Sequence, residues 1–108
     1  MSDFDTFLNT VKAGIPALAR ELGQQYLETA LQDANDFLAS QQEDLERRTA
    51  KLATGELTQD DFEYFVKAKA ELAQMALLTQ AGLAQVQIDR FVNGVINLII
   101  DTAFKVFL

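Results

Sequence analysis

The sequence predicts an all-α protein built as a long antiparallel helical hairpin, which forms a four-helix bundle when two copies pair. Three observations lead to this prediction. Apolar residues recur at steps of three and four through most of the chain, which is the spacing of one helical face. One proline and five glycines in 108 residues leave little material for the many turns of a sandwich or a barrel. A helix-stop signal followed by a helix-start signal falls near the middle of the chain.

The first arm of the hairpin is predicted to contain a short helix near 3–13 and a long helix near 16–53. Its apolar face begins with Phe4, Phe7, Leu8, Val11, Ile15, Leu18 and Leu22. Pro16 interrupts this run, because proline lacks a backbone N–H and its ring crowds the preceding turn. We therefore expect the chain to kink, or to restart a helix, at Gly14-Ile15-Pro16.

The turn at residues 54–58 has the strongest local signal. Gly55 can adopt the left-handed conformation that ends a helix, and Thr58 can cap the next one. Asp61 stands three residues after Thr58, as in a capping box, and adds negative charge at the positive end of the new helix. The sequence therefore predicts a helix–turn–helix connection made by Gly55, Thr58 and Asp61.

The second arm is predicted to be one long helix near 59–107. Gly82 is its only candidate break, and a lone glycine costs about 1 kcal/mol without ending a helix. On a helical wheel, residues 62–88 show two apolar stripes separated by polar residues. One antiparallel neighbour covers only one stripe, so the other stripe needs a further helix.

The segment 91–108 is the most apolar part of the chain. Its apolar arc covers about 200° of the wheel, whereas about 100° is typical of a surface helix. Because the first arm covers only part of this arc, we expect a homodimer closed by two-fold symmetry. Asn93 and Asn97 either fix the register of that interface or form a stripe that faces solvent. The predicted interface includes Phe91, Val95, Leu98, Ile99 and Val106.

Composition excludes several classes of chemistry. The chain has no His and no Cys, which removes the common zinc sites, the Ser–His and Cys–His nucleophile pairs and thiol redox chemistry. Carboxylate metal sites in helical bundles also use histidine. We predict no catalytic residue, no metal and no cofactor. Opposite charges spaced i, i+4 indicate solvated ion pairs instead: Glu43–Arg47, Asp44–Arg48 and Glu63–Lys67.

The net charge of −7 argues against a nucleic-acid partner, because affinity for phosphates begins with clustered Lys and Arg. The one basic cluster, Arg47, Arg48 and Lys51, stands beside three acidic residues. The acidic start of the chain lacks the basic and apolar regions of a signal peptide, which predicts a cytoplasmic protein.

These observations predict a non-enzymatic helical scaffold or protein-interaction module. It would act through homo-oligomerisation, with a second copy as its main partner and another helical protein as a further one. The alternative is a peripheral lipid-associated or apolar-ligand-binding protein that uses the hydrophobic helix 91–108. A membrane surface is the weaker partner, because the polar stripe of that helix is net neutral rather than basic.

Overall fold

A computed structural model describes residues 2–108, and this part of the chain contains helices and no strand. The all-α prediction is therefore confirmed. Four longer α-helices and one short α-helix follow one another in the order α1 (Asp3–Arg20), α2 (Leu27–Thr54), α3 (Gln59–Ala68), α4 (Ala76–Gln80) and α5 (Gln85–Phe107). Two 3₁₀ segments, Gln24–Tyr26 and Lys69–Leu72, precede α2 and follow α3.

Helix α5 lies at the centre of the packing. It contacts α1, α2 and α3, and α1 packs on α2 as well. The dimensions are 42 × 26 × 19 Å and the radius of gyration is 13.8 Å, close to the ~13 Å of a compact domain of this length. The single chain therefore folds back on itself instead of forming an extended two-arm hairpin.

The first helix continues through Pro16, so the prediction of a separate short helix near 3–13 and a long helix starting at residue 16 is wrong. The carbonyl that loses its partner to proline belongs to Lys12, which is exposed, so water can hydrate it. Ile15 and Ala19 are buried on either side of the proline and keep the same face in the core. The break occurs instead at residues 21–26, around Gly23.

The central turn has the geometry that its sequence indicates. Gly55 ends α2 in the left-handed region, with a φ of 82°. The side-chain oxygen of Thr58 accepts a hydrogen bond of 3.0 Å from the backbone N–H of Asp61, at the first turn of α3. These local bonds satisfy backbone groups that a helix end leaves without partners.

The second arm is broken twice, so the predicted continuous helix over 59–107 is wrong. The first break lies at residues 73–75, where Met75 has a φ of 49°. The second break lies between α4 and α5 at Gly82, which has a φ of 89°. Contacts with α2 compensate for the first break, and the left-handed conformation of Gly82 permits the second. The two bends return α5 to α1, which the extended hairpin did not anticipate.

The apolar face of α5 is covered within the single chain. Phe91, Val95 and Ile99 are all less than 4 % exposed. The Phe107 ring lies 5.8 Å from that of Phe7 in α1, and the Phe104 ring lies 6.0 Å from that of Phe62 in α3. The premise that one chain cannot cover its own tail is therefore wrong, because α3 folds back beside α5.

The two remaining residues of the predicted interface are partly buried in the same chain. Leu98 packs on Gly14, where an added Cβ would lie 2.8 Å from the Leu98 Cδ2 atom. Val106 packs at the edge of the core. Asn93 and Asn97 are exposed, so they belong to a stripe that faces solvent.

Helices α1 and α5 approach closely through two reciprocal glycine–leucine contacts. Leu98 lies over Gly14, and Leu18 lies over Gly94. Each helix thus contributes one glycine and, four residues later, one leucine. The two helices run antiparallel, so each leucine meets the glycine of the other helix. Small residues allow this approach because no Cβ separates the backbone from the facing side chain.

Candidate interaction surface

The candidate surface is the line of contact between α2 and the α3 segment, called here the α2–α3 seam. The α3 segment and its 3₁₀ extension run antiparallel to the middle of α2. At one end, the guanidinium carbon of Arg48 lies 4.1 Å from the centroid of the Phe65 ring. Further along, Lys69 meets Gln41, with 2.6 Å between Nζ and Oε1. At the other end, Leu72 and Phe37 line the same groove.

Asp44 is the centre of the polar part of the seam. Its Oδ2 atom lies 2.8 Å from Arg48 Nε and 2.5 Å from Lys69 Nζ. Its Oδ1 atom accepts a hydrogen bond from Arg47. The Lys69 side chain is only 9 % exposed, so its charge depends on these partners. The network attaches the end of α3 to α2.

The environment of Asp44 changes the pKa of its carboxyl group. Partial burial by itself raises that pKa, but hydrogen bonds from Lys69 and Arg48, and their positive charges, lower it to about 2. The carboxylate is therefore held in its charged form in the folded protein.

This shift predicts acid sensitivity of the fold. The folded pKa of about 2 lies below the unfolded value of 3.8, so the unfolded chain takes up the proton first. The contribution of Asp44 is complete above the unfolded pKa and is lost as the pH falls to the folded pKa. We expect it to amount to about 1–2 kcal/mol in the free energy of unfolding. Urea unfolding, followed by circular dichroism from neutral pH downwards, measures it.

The control compares two conservative variants on α2. Asp44→Asn should flatten the pH dependence between the two pKa values, whereas Asp36→Asn, at an exposed position, should leave it as in the wild type. Equal slopes for the wild type and Asp44→Asn would contradict the assignment.

Large apolar side chains remain exposed along the α3 side of the seam. Tyr64 is 70 % exposed and Leu72 is 60 % exposed, with Phe65 partly exposed between them. The rings of Tyr64 and Phe65 lie edge to face at 5.7 Å. Aromatic and arginine side chains are enriched in protein interfaces, because they combine a large contact area with hydrogen-bonding groups. The seam is therefore an apolar surface bordered by arginines.

A second polar contact fixes the chain beyond the seam. Asp33 on α2 is 7 % exposed, and its two carboxylate oxygens accept hydrogen bonds from the first turn of α4. The distances are 3.2 Å from Leu77 N and 2.8 Å from Leu78 N. Asp33, which is distant in sequence, thus caps the N-terminus of α4. The N-cap position itself is occupied by Met75, whose side chain makes no capping hydrogen bond.

A groove of about 230 Å³ lies between α2 and residues 72–76. Its α2 wall includes Asp33, Asp36, Phe37 and Ser40. Within residues 2–108, no three acidic side chains are grouped closely enough to hold a metal ion. The groups that line the groove offer apolar contact and hydrogen-bond acceptors.

The predicted ion pairs are formed in part. Asp44 pairs with Arg48 as expected, and Glu63 pairs with Lys67 at 3.6 Å. Arg47, predicted to pair with Glu43, hydrogen-bonds to Asp44 instead. The Asp44 side chain is only partly solvated, because Lys69 packs against it.

The sequence reasoning missed two residues that hold this region together. Asp33 and Lys69 are 44 and 28 residues from their respective partners, so no local spacing reveals these bonds. Lys69 had one usable signal, because it lies four residues after Phe65 and three before Leu72, on the side of the helix that the apolar residues mark.

Comparisons add no relative to this description. No helix within residues 2–108 is both long enough and apolar enough to cross a bilayer. Neither the protein-family models, the curated proteins nor the solved structures contain a match to this chain.

Proposed function

We propose that the protein is a non-enzymatic helical interaction module that acts by pairing with a second copy of itself through the α2–α3 seam. The observation that carries the proposal is the exposure of Tyr64 and Leu72 on a surface that also presents arginines. Fully burying a side chain of this size contributes about 1.5–3 kcal/mol, so covering this surface is favourable.

The charges on the seam suit pairing with a copy of the same surface. The Arg47 side chain is 60 % exposed, and Asp36, which lines the same groove as Leu72, is exposed as well. A surface that carries both signs can meet its own copy with opposite charges facing each other, as a two-fold interface requires. Two seams packed face to face would bring α2 and α3 of each copy together as four helices.

This dimer differs from the one that the sequence indicated. That dimer used the tail, whose apolar face α1 and α3 cover in the single chain. The lipid-binding alternative depended on the same uncovered face. The exposed apolar side chains of the seam therefore favour a protein partner and move the proposed interface from α5 to α3.

The proposal predicts that Leu72→Glu weakens dimerisation by roughly ten- to a hundredfold, because it removes apolar contact and places a charge in a desolvated interface. Sedimentation or light scattering over a range of concentrations measures the effect. The wild type is expected to reach twice the chain mass of 12.0 kDa, and the variant to remain near 12.0 kDa.

Val86→Glu is the matched control. Like Leu72, Val86 is an exposed apolar residue, with 64 % of its surface exposed. It lies in the first turn of α5 and is not part of the seam. It should dimerise like the wild type. A wild type that stays at one chain mass, or equal loss in both variants, would refute the seam as a dimer interface.

A further inference from the structure

We infer that residues 73–84, called here the hinge segment, can open so that α5 is exchanged between two copies of the chain. The hinge segment contains α4 and connects α3 and its 3₁₀ extension to α5. The inference goes beyond the seam dimer and does not depend on it, because the exchanged contacts are those that α5 makes in the single chain.

The first observation is a conflict between local sequence and structure in the hinge segment. Residues 67–81 contain neither glycine nor proline and are rich in Ala, Leu, Lys, Glu and Gln, which favour helix. The structure nevertheless interrupts the helix there, with Met75 in the left-handed region. A non-glycine residue in that region is strained. Tertiary contacts, not local preference, therefore maintain the break.

The second observation is that the tertiary contacts of α4 come mainly from α2, with fewer from α5. Asp33 holds the first turn of α4, and Met75 and Leu78 are buried beneath it. The neighbouring side chains Ala76, Thr79 and Gln80 are exposed. The hinge segment is thus held by the hydrogen bonds to Asp33 and by three buried side chains, Met75, Leu78 and Leu83, and opening must release all of these contacts.

The third observation is that a continuous helix over 59–107 would be longer than the folded chain. If residues 59–107 became one helix, that helix would be about 70 Å long, whereas the longest dimension of the folded chain is 42 Å. Phe104 could then no longer reach Phe62 of its own chain, from which its ring now lies 6.0 Å away. The opened helix must carry α5 away from its own α1.

The apolar face of α5 would then be exposed to solvent, and only the surface on which it had packed is shaped to cover it. That surface, made of α1, α2 and α3, is present in a second opened copy in the same form. The reciprocal contacts of Leu98 with Gly14 and of Leu18 with Gly94 would form between chains with unchanged geometry. Exchange of this kind replaces each contact that α5 loses with α1, α2 and α3 by an identical one, which is why the occupant is a second copy and not another protein.

Two substitutions in the hinge segment should shift the exchange in opposite directions. Gly82 has a φ of 89° and open space around it, so Gly82→Ala strains the turn of the closed form and favours a continuous helix. Ala84 has a φ of −63°, the angle that proline fixes, so Ala84→Pro suits the closed form and interrupts the opened helix.

An engineered disulfide reports which chain provides α5. The chain has no cysteine, and an added Cβ at Gly14 would lie 3.4 Å from Leu98 Cγ, so Gly14→Cys with Leu98→Cys can form a bond between α1 and α5. In a closed chain, or in a dimer paired through the seam, the bond forms within one chain. In the exchanged dimer it joins two chains.

The test oxidises both variants in the two-cysteine background at high protein concentration and compares them on a non-reducing denaturing gel. We expect Gly82→Ala to raise the fraction of covalent dimer about tenfold over the two-cysteine chain alone. Ala84→Pro, alone or combined with Gly82→Ala, should reduce the covalent dimer to background. Bonds within one chain in every variant, or equal dimer fractions with and without Ala84→Pro, would overturn the inference, whatever light scattering reports about the seam.

Discussion

Replacing Phe62 with alanine is expected to lower the free energy of unfolding by about 3–5 kcal/mol. Phe62 is fully buried, and its ring packs on Phe104 at a centroid distance of 6.0 Å. The contact joins α3 to the last turns of α5. It exists because the chain folds back between these helices, so its loss reports on the compact arrangement itself.

Urea unfolding followed by circular dichroism, at a concentration where the chain is monomeric, measures this effect. Val86→Ala is the control, since Val86 is 64 % exposed and surface substitutions usually change stability by less than about 0.5 kcal/mol. In an extended helix over 59–107, Phe62 and Phe104 would lie about 60 Å apart. A loss for Phe62→Ala no larger than that for Val86→Ala would therefore contradict the folded-back structure.

The central turn could be predicted because its causes are local. Gly55 and Thr58 act on backbone groups within three residues of themselves, so their chemistry is visible in a short window of sequence. The breaks in the second arm are of the opposite kind. Nothing in residues 67–76 stops a helix, and the interruption depends on the carboxylate of Asp33, 44 residues away.

The wide apolar arc of residues 91–108 shows what a helical wheel predicts and what it does not. The wheel indicates that most faces of the helix must be covered, and Val95 and Ile99 are indeed fully buried. It carries no information about which helix covers them. A copy of the chain and the chain's own α3 satisfy the wheel equally, and only the position of the bends decides between them.

Of the contacts in the candidate surface, only those between residues spaced i, i+4 could be predicted from the sequence. The spacing of Asp44 and Arg48 indicates their pairing without any knowledge of the fold. The position of Lys69 against Asp44 depends on how α3 lies beside α2, so the buried charge and the lowered pKa of Asp44 emerge only in three dimensions. The exposure of Tyr64 depends on the same packing.

Asp33 presents the strongest case for a single polar side chain that sets the path of the chain. It is 7 % exposed, and its carboxylate accepts two hydrogen bonds from the start of α4. A hydrogen bond to a charged group contributes about 1.5–3 kcal/mol, and a buried N–H left without a partner costs about 1–3 kcal/mol. We therefore expect Asp33→Ala to lower the free energy of unfolding by about 2–4 kcal/mol.

Asp36 provides the matched control, because it lies one turn further along α2 and is exposed, with a hydrogen bond from Gln32. Asp36→Ala should change the free energy of unfolding by less than about 0.5 kcal/mol.

Amide hydrogen exchange gives the decisive readout. In Asp33→Ala the amides of Leu77 and Leu78 should exchange faster by a larger factor than those of α1, because the loss is local to the start of α4. Asp33→Asn keeps one acceptor oxygen, so it should fall between the wild type and Asp33→Ala. Uniform acceleration through the chain in Asp33→Ala, or equal effects of the two alanine variants, would mean that Asp33 does not hold α4 in place.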